Sequence, residues 1–298
     1  LGSAVAANAG GFERSSQDFD ILFEKGNAVE AGATVVMPQR KLKNIRANPG
    51  VPTLPVVPYG SDKGQPWSTS VDEAKTYWVP KVSAKFDLTD DLACAAQYRE
   101  PWGIETDVGL NTLRAFTAVE QKISSRDFGL NCSYRFAVSE KSYFRILGGV
   151  SYQELKGYQT RLIPPTTQFR GNFRVATLDV EDGSVGWRLG AAYEIPEYAM
   201  RASLVYQSEV KYNLDGTIDN LMLNPLTGQG IPLNVTSDIA APQSVEFKFQ
   251  TGIAPDWLAF GSVKWTDWKS IQQATFVSNG NRGLPDGAKI TSLDLYYQ

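Results

Sequence analysis

Histidine is missing from all 298 residues. Its absence excludes Ser-His-Asp and Cys-His nucleophile activation, the usual general base near neutral pH and most catalytic zinc sites. Cysteine is almost as scarce. Cys94 and Cys132 fit no metal-ligand spacing, and the sequence leaves open whether they form one disulfide in an oxidising compartment or stay two thiols. No apolar run reaches the ~18 residues of a transmembrane helix. Net charge is small: 29 Lys and Arg against 32 Asp and Glu leave −3, so no basic surface advertises nucleic acid. No metal set, cofactor motif or catalytic constellation is found, and an enzyme is not expected.

Aromatic residues and glycine are plentiful, with 13 Tyr, 7 Trp and 26 Gly. The opening "LGSAVAANA" is small and apolar and closes on Ala7-Asn8-Ala9, a signal-peptidase pattern. Residues 1–9 read as a secretory-signal remnant, the alternative being a plain small-residue terminus. Along Met200–Leu214, even positions carry Met200, Ala202, Leu204, Tyr206, Ser208, Val210, Tyr212 and Leu214, while odd positions are mostly polar. Period-two alternation is the mark of a strand with unlike surroundings on its two sides. At ~3.4 Å per residue this one reaches roughly 50 Å, well beyond a common globular strand. The same alternation recurs at 128–136, 144–152, 185–193 and 244–250, and no helical period competes.

Connections follow a second rhythm. Short turns at 87–91, 138–142, 195–199 and 253–257 alternate with long stretches at 103–121, 155–176, 215–240 and 274–288. An antiparallel transmembrane β-barrel of the bacterial outer membrane has this asymmetry, with tight periplasmic turns and long outer loops. Trp78, Tyr98, Trp257, Trp265 and Trp268 suit its interfacial girdles. A soluble sandwich would explain the alternation but neither the strand length nor the uneven connections. Within "AAQYREPWGIETDVG" (95–109), Pro101 and Gly103 interrupt a wall strand, which costs ladder bonds that lipid does not replace. Either a bend opens a side gap there, or Pro101 ends the strand; spacing alone leaves both open.

Three stretches resemble one family. "YWVPKVSAKFDLTDDLACAAQYREPWGIETD" (77–107) looks like the second and third strands of the FadL/TodX (OMPP1) outer-membrane transporters of long-chain fatty acids and aromatic hydrocarbons. "YQSEVKYNLDG" (206–216) and "APDWLAFGSVKWTDWKSIQQ" (254–273) resemble two further strand motifs of that family, the last most like its alphaproteobacterial branch. The resemblance implies a 14-stranded barrel with an N-terminal plug, and a kinked third strand through which hydrophobic ligand leaves sideways. The kink falls on Pro101, Trp102 and Gly103. The plug falls on residues 10–27, with Gly11, Phe12, Phe19 and Phe23. The family's plug is longer and carries Asn-Pro-Ala, whereas here the early Asn48-Pro49 lies in the following loop. Residues 28–298 are then the barrel, with strands at about 29–37, 77–87, 91–100, 122–137, 143–154, 176–194, 199–214, 242–253, 257–273 and 288–298. Nine strands and part of a tenth fall short of fourteen, so a chain lacking its C-terminal strands is expected.

Apolar residues in the long stretches suggest a ligand groove: Leu162, Phe169 and Phe173 in one, Leu221, Met222, Leu223 and Leu226 in another. Packing of those loops onto their neighbours explains them equally well. Arg161 lies near where the family places a carboxylate-binding cation, with Arg145, Arg188 and Lys248 as lumen alternatives. Cys94 and Cys132 sit at apolar parity on neighbouring strands. The expected function is passive uptake of hydrophobic small molecules such as long-chain fatty acids, with lateral release. A general diffusion porin is the alternative, and a lipid hydrolase is disfavoured by the missing histidine. Expected partners are the hydrophobic ligand and the lipid and lipopolysaccharide of the outer membrane, with the protein a monomer.

Overall fold

A computed structural model describes residues 12–15, 19–46, 67–164, 173–224, 226–271, 273–281 and 283–294. The signal remnant, Gly11, Asn48-Pro49 and Phe169 lie outside the described residues. The elements are β1 (Ala28–Val36), the short pair β2 (Lys41–Leu42) and β3 (Val71–Asp72), β4 (Tyr77–Asp87), β5 (Leu92–Arg99) and β6 (Gly103–Asp107). Three long runs come next: β7 (Glu120–Ser139), β8 (Ser142–Ile163) and β9 (Arg174–Ile195). Then follow β10 (Met200–Gln207), β11 (Val210–Leu223), β12 (Gly230–Ala241), β13 (Ser244–Ala254), β14 (Trp257–Thr266), β15 (Gln273–Ser278) and β16 (Lys289–Asp294). All but β2 and β3 join one antiparallel sheet of fourteen segments. Because β5 and β6 share the partner β7, β10 and β11 share β9, and β12–β13 face β11–β10 on one side and β15–β14 on the other, these segments form ten wall positions.

Four of the ten are interrupted, and three expectations about strands and loops change. Residues 199–214 are not one strand but two, parted at Ser208-Glu209. Residues 257–273 divide around a 3₁₀ turn at Trp268–Ile271. The stretch 215–240 is largely the β11–β12 hairpin, and 155–176 is mostly the ends of β8 and β9. Loop residues and strand residues look alike there, because strands projecting past the membrane have polar outer faces.

The interruptions also reverse which side chains face inward. Gln207 pairs with Arg188, but Asp215 pairs with Glu181, one residue out of step, so β10–β11 carries one extra residue against β9. A single extra residue moves the following side chains to the opposite face. Leu204 is accordingly outward and 52% exposed, whereas Val210, Tyr212 and Leu214 are inward and buried. The uninterrupted alternation of apolar residues from Met200 to Leu214 therefore spans two opposite faces, not one.

The sheet thus divides into two zones. Toward the short turns, apolar side chains point outward: Phe128, Leu130, Tyr134 and Phe136 on β7, Phe144, Ile146, Val150 and Tyr152 on β8, Val185, Trp187 and Leu189 on β9. From Phe128 to Phe136 this band is close to the ~9–11 residues a membrane-spanning strand requires. Toward the long connections the polarity inverts. Arg126, Glu154, Lys156 and Glu181 lie outside. Ile123, Leu155, Leu178, Val180, Leu214, Val235 and Phe276 form a buried cluster inside. Trp78, Trp257 and Trp265 are exposed as girdle residues should be, but Trp268 turns inward. Cys94 and Cys132 face each other across β5 and β7 and are joined as a disulfide on the outer face.

Candidate functional site: the interrupted third wall strand

Residues 100–102 hold the break between β5 and β6. Arg99 pairs with Asp127 and Gly103 with Ser124, so the third wall strand also carries one residue too many against β7. Buried backbone groups at such a break need other partners. Ser125 meets the need on one side: its Oγ accepts the Trp102 N–H at 2.8 Å and donates to the Trp102 carbonyl at 2.9 Å. The N-terminal segment meets it on the other. The Arg14 N–H donates to the Pro101 carbonyl at 2.8 Å, and the Gly103 N–H donates to the Phe12 carbonyl at 2.9 Å. Glu13 and Trp102 complete an antiparallel bridge.

On the β4 side a gap remains. Pairing of β4 with β5 ends at Lys81–Arg99, and Tyr77–Pro80 have no partner on β6. Above it, Ala74, bridged to Thr106, and Glu73, whose carbonyl accepts the Asp107 N–H at 3.0 Å, reach across. Lys75 pairs with Asp107 at 2.9 Å, and that hydrogen bond raises the lysine above its ordinary pKa. Inside the break, Trp102 is buried and stacks on Phe12, centroids 5.8 Å apart. It meets Trp268 edge-on at 6.2 Å, which joins the break in the third wall strand to the break between β14 and β15. Phe12, Trp102, Trp268 and Ile271 all belong to the apolar cluster of the upper zone. The pocket among Ile123, Leu155, Leu178, Val180 and Phe276 holds only about 30 Å³, so this interior is filled by side chains.

Below the break lies a polar layer. Asp127 Oδ2 accepts from Arg99 Nη2 at 2.6 Å and from the Arg188 guanidinium, with Gln153 Nε2 at 3.4 Å. Tyr212 donates to Gln153 at 3.1 Å and ties this layer to the apolar cluster. Further down, Phe19, Ile21 and Leu22 are buried among Ala93, Ala95, Leu147, Ala192 and Val205. The 3₁₀ turn Asp20–Phe23 is held by Lys248 on Asp20 at 3.0 Å and by Arg145 on the Leu22 carbonyl at 3.2 Å. Phe23 lies under Arg201 at 4.1 Å and Arg145 at 5.2 Å.

The candidate ligand residues do not converge. Leu221 packs against the apolar cluster, but Met222 is 45% and Leu226 94% exposed, and Leu223 is only half-buried. Leu162 is buried on the face of β8 opposite Leu155. Phe173 sits in an aromatic group with Trp67 and Phe116, at 6.4 and 6.2 Å. Arg161 shares the inner face with Leu155 and donates to Thr291 Oγ1 at 3.4 Å. The inward apolar residues beyond each break were missed because reading the alternation straight through assigns them to the outer face. One signal was present at two of the four breaks, where a charged residue, Glu100 or Glu209, stands in the interruption.

A family model described as outer membrane protein transport protein (OMPP1/FadL/TodX) matches residues 21–296. The chain belongs to this family. Its barrel is therefore a protein of the bacterial outer membrane, with the short turns periplasmic and the long connections extracellular. The long-chain fatty acid transport protein of Salmonella typhi is 21% identical over 251 residues, covering 75% of this chain and 58% of the relative. That of Escherichia coli O6:H1 is 24% identical over 230 residues, covering 67% and 50%. The chain thus spans little more than half the length of these curated members of the OMPP1/FadL/TodX family. The crystal structure of a Pseudomonas aeruginosa FadL homologue shares the fold, with TM-score 0.63 and 14% identity over 90% of this chain and 63% of that one. A TodX mutant described as a monoaromatic hydrocarbon channel gives TM-score 0.55 and 14% identity over 87% and 66%.

Proposed function

We propose that this chain forms the wall and plug of a passive outer-membrane channel for hydrophobic small molecules, long-chain fatty acids or similar, which leave sideways through the break at Pro101–Gly103. One observation carries the reading: the third wall strand is interrupted where it abuts an apolar interior, and the gap is covered by an N-terminal segment instead of a neighbouring strand. Cargo soluble in lipid has no need to cross the polar layer around Asp127. It passes from the apolar cluster, past Phe12 and Trp102, into the bilayer. The turn at Phe19–Phe23 closes the periplasmic mouth against water, and Arg161 faces the upper interior as a cation for acidic cargo. A general diffusion porin needs an open aqueous lumen, and the side-chain-filled interior weighs against it.

Deleting Pro101 tests the reading directly. Removal of one residue brings Arg99–Asp127 and Gly103–Ser124 into one continuous register while Trp102 and Ile104 keep facing inward. The expected result is loss of radiolabelled oleate uptake by cells, with normal amounts of folded barrel in the outer membrane. Undiminished uptake at equal assembly sinks the side exit. Rapid swelling of sugar-loaded liposomes by the unmodified protein would favour the porin instead.

A further inference from the structure

Arg14 occupies the gap itself. Its guanidinium carbon lies 3.9 Å above the centre of the Tyr77 ring, at the end of β4 that pairs with β1 on one side and has no partner on its β6 side. On its other side the guanidinium presses on the backbone of Gly103, where an ideal Cβ would fall 2.3 Å from Nε. The cation therefore bridges the two lips of the opening.

Two of its nitrogens, Nε and Nη2, are buried without a hydrogen-bond partner, and so is Nε1 of the adjoining Trp102. Glu100 and Glu105 lie close enough to attract the guanidinium, but neither forms an ion pair with it, and each nearby carboxylate has another partner. Glu100 accepts from Tyr98 Oη at 3.0 Å, Glu105 pairs with Lys122 at 3.6 Å, and Glu13 pairs with Lys264. Among the described residues none forms an ion pair with Arg14. Tyr77 hydrogen-bonds the guanidinium, which leaves Nε and Nη2 of Arg14 and Nε1 of Trp102 as buried donors without an acceptor, the complement of an oxyanion. Its height fits as well. Trp78, beside Tyr77, is 65% exposed at the rim of the apolar band, so a headgroup held here leaves its tail level with lipid.

We infer that Arg14, with Trp102 Nε1, forms a carboxylate site in the wall gap that holds the headgroup of an acidic, long-tailed cargo while its tail enters the bilayer. This rests on the lateral-exit reading above. The site selects acids over neutral hydrocarbons at the exit, separately from any cation in the outer region.

The test uses the full chain in a non-ionic detergent, with cis-parinaric acid and its methyl ester as fluorescent probes. Arg14→Gln is expected to weaken binding of the acid roughly tenfold or more, the range of a lost charge-assisted hydrogen bond. Ester binding should stay within about twofold, and Arg14→Lys should recover part of the acid affinity. A heat-modifiable band on SDS gels confirms that each variant is folded. Acid binding unchanged in Arg14→Gln, with the unmodified protein binding both probes, overturns this inference and leaves the uptake reading standing. Equal loss of acid and ester assigns Arg14 a structural role and also overturns it. If native mass spectrometry shows Arg14→Gln losing a phosphate lipid while acid binding persists, the anion belongs to the membrane and the inference fails. Should the unmodified protein bind neither probe, the uptake reading falls too.

Discussion

Gly103 and Arg14 touch so closely that a methyl group on the glycine would stand 2.3 Å from Nε of the arginine. Gly103 is needed for this approach and not for an unusual backbone angle, since it is not among the positive-φ residues. Only the far end of a flexible side chain is in the way, so Gly103→Ala should fold normally and displace the guanidinium. Trypsin cleavage after Arg14, slow while the segment is pinned, should then speed up severalfold. Equal cleavage rates would show that the contact does not hold the segment.

Asp127 is the shared counter-charge of Arg99 and Arg188, with its own side chain 1% exposed. Asp127→Asn leaves two buried guanidiniums uncompensated, and breaking such a pair costs about 3–5 kcal/mol. The temperature at which the folded band converts to the unfolded one on SDS gels should drop clearly. Adding Arg188→Gln should restore part of it, because one orphaned charge is then removed. A variant as heat-resistant as the parent would mean the polar layer contributes little.

Leu204 and Leu214 share sequence parity yet face opposite sides. In a background with Cys94→Ser and Cys132→Ser, a fluorophore attached at Leu204→Cys should be strongly quenched by brominated lipids. One at Leu214→Cys should be nearly unaffected. Comparable quenching at both would refute the extra residue at Ser208-Glu209 and the inversion built on it.

The outward apolar band was legible because each spanning strand repeats with period two and lipid tolerates no lapse in it. Phe128–Phe136, Phe144–Tyr152 and Val185–Leu189 all lie where the alternation puts them. Pro101 and Gly103 were equally legible as a flaw in a strand. What stayed hidden was parity across a break. Nothing in the string Gln207-Ser208-Glu209-Val210 says that Val210 has changed sides, since that depends on how many residues β9 offers opposite. Trp268 was misplaced in the girdle because a 3₁₀ turn replaces the strand there and carries the ring inward.

Pattern and composition alone determined an all-β chain with lipid-facing strands, no histidine chemistry and a defect in the third wall strand, because each follows from local residue types and spacing. Only the tertiary structure decided what fills the defect. Arg14 and Gly103 lie 89 positions apart, and Glu13 and Lys264 are further apart still; such meetings depend on strand register, which the folded sheet sets as a whole.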